Sequence, residues 1–113
     1  MNRQTFRERF ERHDWPRQLG NLASTLARLS SRVSSPEYDP LALDLLREAA
    51  LLIEWSAPHV PEALHPDLAA MQREVLAWRR LWPLDPARPL LALRARQMSN
   101  ALLRAARLVA VAE

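Results

Sequence analysis

The sequence predicts an all-α protein: a compact antiparallel up-and-down bundle of four main helices, with a short N-terminal helix or arm. Three observations carry that prediction. Leu and Ala supply 39 of the 113 residues, whereas the β-branched residues are one Ile, five Val and two Thr, a balance that favours helix over strand. Apolar residues recur at alternating steps of three and four, the spacing that lines one face of a helix. The breaks between these stripes are short and rich in Pro and Asp, which suits antiparallel neighbours. A chain of this length buries roughly two-thirds of its unfolded surface, so one domain over 1–113 is expected.

The elements follow in order. A short helix over 3–13 carries Phe6 and Phe10 on one side. The next runs over 15–34: Asp14 precedes Trp15-Pro16 as an N-cap, with Pro in the first turn where no N–H partner is needed. Its stripe is Trp15, Leu19, Leu22, Leu26, Leu29 and Val33. Ser34–Pro40 reads as the clearest loop. Helix 40–56 begins with Asp39 capping Pro40 and is the most apolar element, with Leu41, Leu45, Ala49 and Leu52 on its core face. Helix 61–82 has the stripe Leu64, Leu68, Met71, Val75, Trp78 and Trp82; Pro66 demands a kink or a separate turn over 61–65. Helix 86–111 begins with Asp85 capping Pro86 and carries Leu91, Ala95, Met98, Leu102, Ala105, Val109 and Ala112.

Composition removes several function classes. One Gly cannot build a Gly-rich phosphate loop, a dinucleotide fingerprint or a nucleophile elbow. All sixteen basic residues are Arg, so there is no Schiff-base lysine, and no Cys leaves no thiolate, disulfide or zinc ribbon. Glu62-x-x-His65 supplies half of a di-iron carboxylate–histidine pair, but the second half is missing from the sequence. No metal, cofactor or catalytic residue is therefore expected, and the chain is read as non-enzymatic. The first ten residues carry charge where a signal peptide needs an apolar stretch, and no apolar run is long enough to cross a bilayer. A cytoplasmic protein is expected, and Arg in place of Lys fits the coding bias of a GC-rich bacterium.

Charge is segregated: residues 1–32 are net +4, 33–85 net −5 and 86–113 net +4. Two surfaces stand out against the helical pattern. Leu51 and Trp55 fall beside Asp44 and Glu48, off the core side of their helix, so they are covered either by a partner or by Phe6 and Phe10. On the last helix Arg96, Asn100 and Arg107 share a narrow sector opposite the core stripe, with Arg104 at its edge and Leu93, Leu103 and Val111 on the same side. Arg mixed with aliphatic residues reads as a partner-binding face. The expected protein interface is thus Leu51, Trp55, Leu93, Arg96, Asn100, Leu103, Arg104 and Arg107, in a module that self-associates or docks on a protein. The alternative is a basic nucleic-acid-binding subunit contacting phosphates through Arg3, Arg7, Arg9, Arg12, Arg96, Arg104 and Arg107. Trp78 and Trp82 bracket Arg79 and Arg80 but lie one turn apart on the core stripe, so packing rather than base stacking is expected of them.

Overall fold

The computed structural model describes residues 3–112, with side chains through Arg107. Five helices follow in order: α1 (Arg3–Glu11), α2 (Trp15–Arg32), α3 (Asp39–Ser56), α4 (His65–Leu81) and α5 (Arg88–Ala112). There is no strand among the described residues. The chain is an all-α antiparallel bundle, with α1 lying against the main helices.

Local chemistry sets the helix starts. The Asp14 carboxylate accepts a hydrogen bond from the Arg17 backbone N–H at 3.1 Å, as expected of an N-cap. The other three starts follow a different pattern. A single 3-10 turn leads directly into each helix: Pro36–Tyr38 into α3, Glu62–Leu64 into α4 and Asp85–Ala87 into α5. Pro40, Pro66 and Pro89 then occupy the second position of their helices, where a missing N–H costs nothing. Pro66 is accommodated by the separate turn rather than by a kink. Asp39 and Asp85 do not cap: each is the first residue of its helical segment, with Tyr38 and Leu84 at the cap positions, and each carboxylate bonds Arg88 instead.

The bundle is held by two kinds of seam. Leu19, Leu22, Leu26, Leu29 and Val33 of the α2 stripe are buried, as are Leu68, Met71 and Val75 on α4 and Leu91, Ala95, Met98 and Leu102 on α5. Each such Leu contributes roughly 1.5–3 kcal/mol by leaving water. Val109 and Ala112 of the α5 stripe lie outside the described side chains. α2 packs on both α3 and α5, and α3 also packs on α4. Held from both sides, α3 buries a wider face than one stripe, adding Ala42, Leu46, Ala50 and Ile53. Leu41, read from sequence as core, is 41% exposed in the first turn of α3, at the end of the bundle.

The α2–α5 seam is pinned at two points by small residues. Ser30 Oγ donates to the Ala92 carbonyl at 2.7 Å and Ser99 Oγ donates to the Ala23 carbonyl at 2.8 Å. A serine hydroxyl is short, so two such bonds seven residues apart fix the antiparallel register and require closely apposed backbones. The α3–α4 seam is bridged by a longer side chain instead, Gln72 Nε2 donating to the Ala50 carbonyl at 3.3 Å.

Candidate functional site

The first expected surface is covered within the chain. Phe6 and Phe10 approach the Trp55 indole with ring centroids at 5.6 and 6.1 Å, and the Arg7 guanidinium lies 5.7 Å from its centroid. Trp55 is 3% exposed and Leu51 is half-buried. An edge-on aromatic pair of this kind is worth about 0.5–1.5 kcal/mol beyond its buried area. Trp55 is therefore an anchor for α1, and its place off the core stripe is explained by α1 rather than by a partner. Arg7 is also occupied by Glu11 at 2.6 Å. Hydrogen bonding from Arg7, with His59 adding to it, holds the Glu11 carboxyl below its usual range.

The N-terminus of α5 carries a residue that the sequence reading did not single out. Arg88 is buried, and its guanidinium donates to Asp39 through both terminal nitrogens (2.8 and 3.0 Å), to Asp85 (2.8 and 3.0 Å) and to the Val33 carbonyl (2.9 Å). The Trp82 ring lies 5.3 Å away. One side chain thus ties together the end of α2, the start of α3, the exit from α4 and the start of α5. Hydrogen bonds from Arg88 hold the Asp39 carboxyl below its usual range, against the opposing effect of burial, and the two carboxylates raise the Arg88 pKa. A planar fork with five donors is suited to such a node, as an ammonium would not be. The one signal in the sequence was Asp85 three residues before Arg88, on one face of a helical turn.

The second expected surface is open. Leu93 and Leu103 are 55% and 45% exposed, and Arg96, Asn100, Arg104 and Arg107 are all exposed. Arg96, Asn100, Leu103 and Arg107 follow one another at helical spacing, forming a stripe about 16 Å long at 1.5 Å per residue. Among the described residues none of Arg96, Arg104 and Arg107 makes an ion pair, whereas Arg94 is bound to Glu74 at 2.8 Å, which raises its pKa. The stripe borders a hollow of about 460 Å³ lined by Asn100, Leu103, Arg104 and Arg107 on α5 and by Pro16 and Gly20 on α2. Val111 lies outside the described side chains. α2 holds three arginines and α5 five, with no acid in either. The structure therefore gathers half of the expected interface (Asn100, Leu103, Arg104 and Arg107) around one concavity and adds the edge of α2 to it.

The residues of the nucleic-acid alternative are divided. Arg3, Arg9 and Arg12 are exposed on α1 or just past its end, and α1 is seated against α3, whereas α5 packs on α2. The two Arg sets belong to different helix pairs. Arg9 borders a smaller hollow of about 250 Å³ between α1, α2 and α3. The carboxylate in that hollow, Glu48, already accepts from Thr25 Oγ1 at 2.6 Å and Arg28 at 3.2 Å. His65 Nε2 donates to the Ala57 carbonyl at 2.9 Å. No group of three or more His, Asp and Glu able to hold a metal ion is found among the described residues. Trp78 and Trp82 pack against the core while Arg79 and Arg80 are exposed. No helix among the described residues is long and apolar enough to cross a membrane.

Comparison with family models, with curated proteins and with solved structures finds no match for this chain.

Proposed function

We propose that this chain is a non-enzymatic interaction module, a small subunit or adaptor that presents the outer face of α5 and the adjoining edge of α2 to a protein partner. The observation behind this reading is the stripe in which exposed Leu93 and Leu103 alternate with arginines that make no ion pair among the described residues. Exposed aliphatic side chains framed by Arg are the composition of a protein interface, where the leucines lose water and the arginines supply bidentate contacts.

The test is a photo-crosslinking residue placed at Leu103, with the same residue at Asp44 on α3 as control, in the cells that make the protein. The reading predicts an adduct of discrete mass at position 103, absent at position 44 and abolished by Arg104→Glu with Arg107→Glu. Adducts at both positions, or none at 103, overturn it. The second reading, phosphate binding by the acid-free α2–α5 pair, predicts an adduct that nuclease removes and protease spares.

A further inference from the structure

Gly20 is the one glycine of the chain and it lies inside α2, with five residues of helix before it and twelve after. Helix interiors disfavour glycine. Neither of the two usual reasons applies. Its φ is not positive, and among the described residues a Cβ built on it would meet no atom within 4 Å beyond its own stretch of helix. Packing among the described residues therefore does not call for the missing side chain. What the glycine does is leave bare helix backbone at the α2 side of the hollow, facing Leu103, Arg104 and Arg107.

We infer that Gly20 is the floor of a docking notch, and that its occupant is an acidic amphipathic helix of a partner protein with one bulky apolar side chain seated over Gly20 beside Leu103. This rests on the interaction reading above and specifies the partner. Charge complementarity identifies the occupant: every charged residue within the two helices that form the groove is an arginine, so carboxylates flanking the apolar anchor would meet Arg104 and Arg107, and Arg96 farther along. The repeat of the α5 stripe identifies the shape, because contacts recurring every turn over about 16 Å match a helix presenting residues at i, i+3 or i+4, and i+7. A polyanion would satisfy the arginines but would leave Leu103 and the notch unused.

The experiment measures binding of fluorescently labelled 18-residue helical peptides to the full chain by anisotropy. One peptide has leucines at i, i+4 and i+7 flanked by glutamates; its twin has lysines for the glutamates; a 20-base-pair DNA duplex is the third probe. The inference predicts binding of the glutamate peptide alone, weakened by about tenfold or more when Gly20→Leu fills the notch and by a similar factor in Arg104→Glu. Gly20→Ala, which fills it less, should weaken binding less. Thermal melts accompany each variant and should be no lower than wild type for Gly20→Ala, since its Cβ projects into open space. Equal affinity for Gly20→Leu and wild type, binding of the lysine twin, or binding of the duplex without the peptide each overturns it. If the glutamate peptide fails while the adduct at Leu103 persists, this inference falls and the interaction reading stands; loss of both removes both.

Discussion

The two ends of α5 carry the same residue type in opposite circumstances. At the N-terminal end Arg88 is buried, and all its hydrogen bonds go to Asp39, Asp85 and the Val33 carbonyl. Four turns or more along the same helix, Arg104 and Arg107 stand exposed with no carboxylate of the described chain beside them. The difference lies in what the loops deliver. The turns entering α3 and α5 each place an aspartate at the same end of the bundle. At the other end Glu11 is taken by Arg7 and His59, Asp14 caps α2, Asp67 borders the opposite flank of α5 beside Ala101 and Ala105, and α2 itself has no acid. An Arg-rich helix is therefore neither a binding surface nor a structural brace in itself; supply of carboxylate decides which part of it becomes which.

The largest expected effect tests the enclosed end. Arg88→Met should lower the thermal midpoint more than any substitution of an exposed arginine on α5, because it strands the buried Val33 carbonyl and releases four segments at once. Arg104→Ala and Arg107→Ala should each stay within about 0.5 kcal/mol of wild type in urea denaturation. Similar losses at both ends would erase the distinction.

Acid sharpens the same contrast. The folded-state pKa values of Asp39 and Glu11 are depressed, so both groups contribute stability that is present above the unfolded carboxylate range and lost as pH falls through their folded values. Urea midpoints should therefore fall as pH drops below about 4. The difference between wild type and Asp39→Asn should shrink over the same interval. A pH-independent difference between them would contradict the ion-pair account.

Two smaller effects separate the seam from the notch. Ser99→Ala removes the buried hydroxyl bond to Ala23 and should cost about 0.5–1.5 kcal/mol. Gly20→Ala, on the same helix but at the open hollow, should instead gain up to about 1 kcal/mol from helix propensity. Denaturant midpoints measured side by side decide both signs.

Much of the fold was legible because it depends on local rules. The Asp14 cap, the α2, α4 and α5 stripes, and the turn forced by Pro66 all follow from spacing and from the chemistry of a helix start. Trp55 was legible as a residue that required cover, with Phe6 and Phe10 as one of two named candidates. Asp39 and Asp85 were misread as caps because a residue before Pro looks the same whether its carboxylate serves its own turn or an arginine 49 positions away, as Asp39 does. Leu41 was misassigned because periodicity does not register where a stripe passes the end of the bundle. The α5 face was visible as a pattern of Arg and Leu, but its concavity was not, since one wall of it, Pro16 and Gly20, comes from α2. Gly20 is visible in the sequence only as the lack of a phosphate loop, because its open surroundings depend on how α5 packs on α2.

The most direct measurement is a ¹H–¹⁵N correlation spectrum of the full chain titrated with the glutamate-flanked peptide. One glycine in the sequence gives one backbone glycine resonance, a reporter at the floor of the notch. The account predicts that the Gly20 amide, the Asn100 side-chain amide and the backbone amides of Leu103–Arg107 shift together and saturate at one affinity, while Val33, Leu41 and Arg88 at the opposite end stay fixed. Shifts centred on that opposite end, or a glycine resonance that never moves while the peptide binds, would contradict it.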